Sequence, residues 1–507
     1  MIAVILNKPE FEYDIHSLLK AFFPKQYVGV SAEQKTYQEH IDILMSIEYG
    51  ADCITVLWQR HVPKTKEQGE LSLEENVLPL PGRTFAADFS DKTEAKNVLK
   101  RNLYEMLSSY TGKTLPWGTL TGIRPVKIPM KFLEEGKSRE EIRAYMKETY
   151  FTSEEKISLS IDIAERELAL LNQIDYENGY SLYIGIPFCP TTCLYCSFTS
   201  YPLKAWASRV DTYLDALEKE IDFTAAKFAS KRLNSIYIGG GTPTTLEPYQ
   251  LDRLLRKIKC SFDLADCLEF TVEAGRPDSI TEEKLKVLRR HGISRISINP
   301  QTMKQETLDL IGRRHTVEQT VESFRLAREL GFDNINMDLI MGLPGEQLSD
   351  VRETMEQIAA LKPDNLTVHS LALKRAARLN MFKEDYEDYE MVNTQEHMDV
   401  VASYAEKLGL HPYYLYRQKG MAGNLENVGY AADGMAGVYN VLIMEEKQTI
   451  MALGAGATTK FVRYPGGGKG EPLITRVENV KDVKNYLERI DEMIERKIRK
   501  MEEISWH

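Results

Sequence analysis

Between residues 182 and 373, six short runs rich in β-branched and aromatic residues alternate with amphipathic helical stretches. The runs are Leu182–Phe188, Ser235–Gly241, Glu269–Ala274, Arg295–Gln301, Asn334–Gly342 and Asn365–Leu373. Strands joined by helix-length crossovers pair in parallel, so this rhythm predicts an α/β fold on a parallel sheet. Gly292 and Gly331 follow the helical stretches Thr281–His291 and Val317–Leu330, where a left-handed residue can close the last turn. Six units rather than eight leave two architectures, a partial (β/α)6 barrel and an open doubly wound sheet.

The chain has 507 residues, which at roughly 100–200 per domain suggests about three. Residues 1–180 read as an N-terminal α/β extension of unknown role. It has strands at Ile2–Leu6 and Ala51–Trp58 and a helix at Tyr13–Phe23. Helical spacing recurs at Lys92–Tyr110 and Ser138–Ile174, with a Gly- and Pro-punctuated loop from Thr119 to Lys127 between them. Residues 181–380 hold the βα series. Residues 381–507 read as a C-terminal α+β domain that could act as a substrate-binding lid. It has a long helix at Met391–Leu408, the aromatics Tyr413, Tyr414 and Tyr416, the Gly454-Ala455-Gly456-Ala457 patch, a Gly466–Gly468 loop and a charged last helix.

Lys plus Arg number 64 against 75 Asp plus Glu, a net charge of −11. That balance argues against a dedicated nucleic-acid face but leaves room for a local basic site for an acidic ligand. No run of about 18 apolar residues occurs, so no transmembrane helix is expected. The apolar start Met1–Leu6 is too short for a signal-peptide core and has no basic leader, which makes cytoplasm the expectation.

Three of the six cysteines, Cys189, Cys193 and Cys196, fall within eight residues directly after the first βα strand, spaced C-x3-C-x2-C. In a reducing compartment such a trio points to metal rather than disulfides. Three thiolates can hold three irons of an iron–sulfur cube and leave the fourth open, the arrangement of a catalytic site. A structural zinc knuckle is the competing reading, but it wants a fourth Cys or His close by.

Further chemistry recurs where the strands end. Gly239-Gly240-Gly241-Thr242-Pro243 follows the second strand, where glycine lets backbone approach a ligand; alone it reads equally as a tight turn. No Gly-Lys-Ser/Thr follows it, so it is not a P-loop. Glu273 ends the third strand, Gln301 the fourth, Asp338 lies in the fifth, and Arg313 could reach the same edge. Each singly could be structural, but together they occupy the edge where parallel βα folds assemble active sites.

The cysteine spacing, the aromatic Tyr195 before the last cysteine and the Gly-Gly-Gly-Thr-Pro stretch resemble the radical S-adenosylmethionine superfamily. Tyr183, Gly240, Gly241, Thr242, Glu273, Gln301, Arg313, Asp338 and Ala372 extend the resemblance to one branch. That branch holds the oxygen-independent coproporphyrinogen III dehydrogenases and their haem-chaperone relatives, and the long N-terminal extension is similar to the HemZ-type members. The resemblance covers about residues 180–375 and, more loosely, Asn427–Tyr430 through Gly454–Ala457. It departs at Gly185, where the enzymes usually carry His, and at Phe198, where they carry a further Cys. Glu426 and Ala431 replace the His and Trp of the chaperones' His-Asn-Leu-x-Tyr-Trp stretch.

The resemblance implies a radical SAM partial barrel. Cys189, Cys193 and Cys196 would bind a 4Fe–4S cluster whose open iron takes the methionyl amino and carboxylate groups of S-adenosylmethionine. Gly240, Gly241 and Thr242 would touch the methionyl part. Glu273, Gln301, Arg313 and Asp338 would hold the carboxylate and ribose, and Ala372 the adenine side. Tyr183 and Tyr195 join the cofactor-binding set, and Tyr183 and Glu273 are also catalytic candidates. The implied reaction cleaves S-adenosylmethionine to a 5′-deoxyadenosyl radical, which removes hydrogen from two propionates of coproporphyrinogen III in turn. Each loses carbon dioxide and an electron, giving protoporphyrinogen IX in haem biosynthesis. The implied partners are a tetrapyrrole substrate, a flavodoxin- or ferredoxin-like electron donor and an electron acceptor. Haem delivery on the same fold and radical chemistry on another substrate are the alternatives. Residue chemistry nominates Arg124, Tyr416, Arg417 and Lys419 as propionate partners.

Overall fold

The computed structural model describes all residues except 34–39, 66–70, 373–376, 382–388, 419–420, 422–424, 466–471, 505 and 507. The chain divides into two compact units, residues 1–161 and 162–507.

In the first unit alternating burial along the strands builds a five-stranded sheet. Its strands are β1 (Ile2–Leu6), β2 (Val28–Ser31), β3 (Ile43–Tyr49), β4 (Cys53–Thr65) and β5 (Leu71–Ala86), ordered β2-β1-β3-β4-β5. β1 is parallel to both neighbours, while β3, β4 and β5 are antiparallel. Leu18, Leu19 and Phe22 of the helix Glu12–Phe22 share one core with Leu99, Leu103 and Leu107 of Lys92–Thr111 and with Val4, Met45 and Val56 of the sheet. The second helix starts where the Asp91 carboxylate accepts the Thr93 and Glu94 N–H groups and stops at left-handed Gly112. The sequence pattern shows β1, β4 and these helices; β2, β3 and β5 it leaves unread.

In the second unit all six predicted strands form. They are β6 (Gly179–Ile186), β9 (Arg232–Gly240), β10 (Glu269–Gly275), β11 (Arg295–Ile298), β12 (Ile335–Met341) and β13 (Asn365–Ser370), adjacent in that order and parallel throughout. The two-residue strands β7 (Phe188–Cys189) and β8 (Tyr201–Pro202) pair beside them. Glycines 292 and 331 adopt φ of +73° and +86° just past the helices Glu282–Arg290 and Val317–Glu329, as their positions predict.

The C-terminal stretch enters the same sheet on both sides. β16 (Thr449–Leu453) lies parallel beside β6, followed by antiparallel β17 (Thr458–Arg463) and β18 (Leu473–Glu478). Beyond β13 come antiparallel β15 (Asn427–Ala431) and β14 (His411–Tyr416). The sheet therefore has 11 strands with β14 and β18 at its ends. The expected long helix is Gln395–Lys407, begun by the reciprocal Thr394 and His397 cap. Among the described residues no helix is long and apolar enough to cross a membrane.

Side chains alternate across each strand. One set, including Leu182, Ile184, Ile236, Ile238, Val272, Ile296 and Ile298, is buried hydrocarbon. The other, including Ser181, Tyr183, Ser235, Tyr237, Thr271, Glu273 and Ser297, is polar. It makes its own bonds, such as Ser181 Oγ to Ser235 Oγ at 2.7 Å. A polar face inside a parallel sheet is costly unless satisfied, and here it leads up to the strand ends that carry the site.

Candidate functional site

The cysteine loop leaves the end of β6. Gly241 and Thr242 N–H groups donate to the Ile186 and Phe188 carbonyls, both at 2.7 Å. A Cβ on Gly241 would stand 2.6 Å from the Phe188 oxygen, so only glycine lets the two strand ends lie this close. The Thr242 hydroxyl donates to Cys189 Sγ at 3.5 Å. The far end of the loop is pinned by the Leu194 N–H on the Ile311 carbonyl (3.0 Å) and the Thr191 hydroxyl on the Gly312 carbonyl (3.0 Å). Leu194 packs among Ile311, Ile340, Leu343, Leu371 and Leu379, with Tyr195 against the same cluster.

Cys189 and Cys193 are buried, and Cys196 is half-buried. Burial pushes the Cys189 thiol up to about 12, and Cys193 and Cys196 add to that by repulsion. Burial raises Cys196 in the same way. Buried thiols whose ionisation is disfavoured, as at Cys189 and Cys196, are suited to a cationic group, which makes thiolate the stable form. Among the described residues no three ligating side chains are gathered around a single-ion position; three corners of an iron–sulfur cube stand farther apart than ligands of one ion.

The polar residues foreseen at the strand ends are brought to this same edge. The Tyr237 hydroxyl donates to Glu273 Oε1 at 2.5 Å. The Tyr183, Tyr237 and Tyr439 rings stack, with centroids 4.6–6.3 Å apart. Burial raises the Glu273 carboxyl to about 7, against the Tyr237 hydrogen bond and together with repulsion from Asp338. Asp338 accepts from Asn336 Nδ2 at 2.6 Å. Gly240, at φ +106°, brings its Cα beneath Tyr183, whose hydroxyl would meet a Cβ at 3.2 Å.

Gln301 takes a left-handed φ of +72°, rare for a residue with a Cβ. It is held there because its N–H donates to the Asp338 carbonyl and its carbonyl accepts the Ile340 N–H, both at 2.9 Å. Its buried Oε1 has no partner among the described residues. Arg313 is 5% exposed; it donates to the Asn299 and Pro300 carbonyls while its Nε has no partner among the described residues. Tyr195 lies in the field of Arg313, Cys193 and Cys196, and burial raises its phenol. Ala372, just past β13, bridges to Met421. Buried polar atoms left open on both Gln301 and Arg313, at the strand ends that also carry the thiol trio, fit a polar ligand held against a cluster. A cavity of about 290 Å³ opens on the β6 and β16 side of this edge, lined by Tyr183, Gly185, Gly240, Phe198, Ala455 and Gly456 among others.

Of the nominated substrate contacts, Tyr416 and Arg417 stand at the end of β14, and Lys419 lies outside the described residues. Arg124 lies in the first unit. Arg417 is buried, with burial lowering its guanidinium to about 10 and Glu426 opposing. Sequence reasoning missed Tyr237, Arg276 and Tyr439. Tyr237 was findable, because it sits two residues before Gly239 and so shares its strand face. Arg276 directly follows Gly275 at a strand end. Tyr439 carries no local signal.

Fold and site together define a protein built to hold an iron–sulfur cluster and a multifunctional polar cofactor at the strand ends of a parallel sheet. The Radical SAM superfamily model matches residues 183–358. The Bacillus subtilis oxygen-independent coproporphyrinogen-III oxidase-like protein HemZ is 42% identical over 427 residues, 83% of this chain and 84% of that one. Heme chaperone HemW of Bacillus subtilis is 36% identical over 325 residues, 62% of this chain and 76% of that one. The solved structure of the Escherichia coli coproporphyrinogen III oxidase HemN, a radical SAM enzyme, overlays with a TM-score of 0.50 at 25% identity. The overlay covers 64% of this chain and 73% of that one. The chain belongs to the radical SAM superfamily and, within it, to the family of the HemZ, HemN and HemW proteins. A 4Fe–4S cluster and S-adenosylmethionine are the cofactors of that superfamily.

Proposed function

We propose that the protein catalyses the oxygen-independent oxidative decarboxylation of coproporphyrinogen III to protoporphyrinogen IX. The observation that carries the reading is the position of β14. It brings the Tyr416 hydroxyl to 3.4 Å from His369 Nδ1 at the strand-end edge, with Arg417 next in the chain. A phenol and a guanidinium at the cofactor's edge are what substrate carboxylates need. Burial raises Tyr416 to about 12, which keeps it a hydrogen-bond donor. The likeness to proteins named for this oxidase supports the same substrate.

Cys189, Cys193 and Cys196 are the cluster ligands in this reading. Gly240, Gly241 and Thr242 line the methionyl group, Arg313 and Gln301 the carboxylate, Glu273 and Asp338 the ribose, and Ala372 the adenine. Tyr183 and Tyr195 close the site on either side. When bound, the cluster and cofactor together supply hydrogen-atom abstraction at an unactivated carbon. The chain's own residues orient and desolvate: Gln301 and Arg313 present open polar atoms, and Glu273, once ionised, accepts a hydrogen bond from a ligand hydroxyl. The reading takes the protein as cytoplasmic and requires a one-electron donor of flavodoxin or ferredoxin type and an electron acceptor.

The second reading is haem binding and delivery, favoured by Phe198 in place of the enzymes' further cysteine and by the likeness to HemW. Anaerobic assay of wild type and Arg417→Ala separates them. Wild type should consume coproporphyrinogen, and its failure to do so favours haem delivery; in Arg417→Ala consumption should fall while slow cleavage of S-adenosylmethionine persists, and unchanged consumption contradicts the assignment of Arg417.

A further inference from the structure

Arg276 is buried and stands where β10 ends, and nothing in the reading above uses it. Its guanidinium does two things at once. Nε and Nη2 donate to the two oxygens of Asp278, at 2.9 and 2.6 Å. Nη1 turns toward the cysteine loop, donating to Thr191 Oγ1 at 2.7 Å and the Thr191 carbonyl at 3.0 Å. It also reaches Cys193 Sγ at 3.8 Å. Thr191 lies between the first two cysteines of the trio, and its hydroxyl is tied onward to Gly312.

We propose that Arg276 is a positioning residue that sets the reduction potential of the cluster, with Asp278 as its counterweight. The inference rests on the assignment of Cys189, Cys193 and Cys196 as cluster ligands. Reduction adds one electron, and so one negative charge, to the cluster. A guanidinium beside a ligating sulfur stabilises that added charge and raises the potential; the Asp278 carboxylate behind it partly cancels the effect. Arg276 is buried, so water screens its contribution little, while the more accessible Asp278 cancels only part of it. Fixing Thr191 also holds the first two cysteines at a constant spacing.

The test is a redox titration of the anaerobically reconstituted full-length protein with dithionite, followed by electron paramagnetic resonance. Wild type, Arg276→Gln, Arg276→Lys and Asp278→Asn are compared at matched iron content. Arg276→Gln should shift the potential to more negative values, and Asp278→Asn should shift it to more positive ones. Arg276→Lys, which keeps the charge but not the two-pronged bond to Asp278, should fall between wild type and Arg276→Gln. A purely structural role would move both charge variants in one direction or neither, and either result overturns the proposal. If Arg276→Gln loses its iron, the upward shift in Asp278→Asn decides alone. A wild-type protein that takes up no cluster contradicts the ligand assignment itself, which separates that failure from this one.

Discussion

Glu273 offers a test in which the site's electrostatics appear as stability. The carboxyl sits at the end of β10, bonded to Tyr237 and repelled by Asp338, and burial lifts it from its ordinary 4.5 to about 7. Below pH 4.5 the folded and unfolded chains both carry it protonated, and no penalty arises. As pH rises from 4.5 through about 7, the unfolded chain ionises first, so stability falls across that window and the loss is complete above it. At about 1.4 kcal/mol per pH unit the full interval is worth about 3 kcal/mol. Glu273 is only half-buried, so solvent screening leaves about 2 kcal/mol. Glu273→Gln keeps an acceptor for Tyr237 but cannot ionise. It should therefore unfold at a higher temperature than wild type at pH 8.5 and at the same temperature near pH 4.5, measured by calorimetry on the cluster-free protein. Its cofactor turnover should drop, a stability gain at the expense of function. A difference that does not change with pH, or a less stable variant at pH 8.5, would refute the electrostatic account.

The remaining expectations concern other parts of the second unit. Cys193→Ala should abolish the cluster, while Cys260→Ala, at an exposed helical position outside the trio, should retain about four irons per chain by colorimetric assay. Gly454→Ala should destabilise by about 3 kcal/mol or more in thermal unfolding. Its φ is +101° and its Cβ would stand 2.5 Å from the Gly185 oxygen and 2.6 Å from the Tyr213 hydroxyl. Lys497 and Glu220 form a fully buried ion pair at 2.6 Å that also ties down Gly454 and Asn479. Lys497→Met should cost about 3–5 kcal/mol by leaving a buried carboxylate without its counter-charge, and the double change Glu220→Gln with Lys497→Met should recover much of it.

The βα series was legible because each strand is a compact apolar run and each helix has a periodic stripe and a glycine stop. The cysteine trio and the glycine stretch were legible because their chemistry is local in sequence. What escaped depended on distant pairing. β16 joins β6 through register across more than 250 residues of chain, and no pattern in Thr449–Leu453 says which edge it will meet. The antiparallel strands at either end fall outside the βα rhythm for the same reason. The left-handed backbone at Gln301 was invisible because glutamine carries no conformational signature; the bonds from Asp338 and Ile340 impose it. Arg417 was nominated from residue chemistry alone, and nothing local in sequence shows that it and Glu426, next to β15, are both buried.

The central claim is tested most directly by one anaerobic turnover measurement on the reconstituted protein, with S-adenosylmethionine, coproporphyrinogen III, a low-potential reductant and an electron acceptor. The account predicts protoporphyrinogen IX, with one S-adenosylmethionine cleaved for each of the two propionates lost. Cleavage of S-adenosylmethionine with no consumption of coproporphyrinogen III would contradict it.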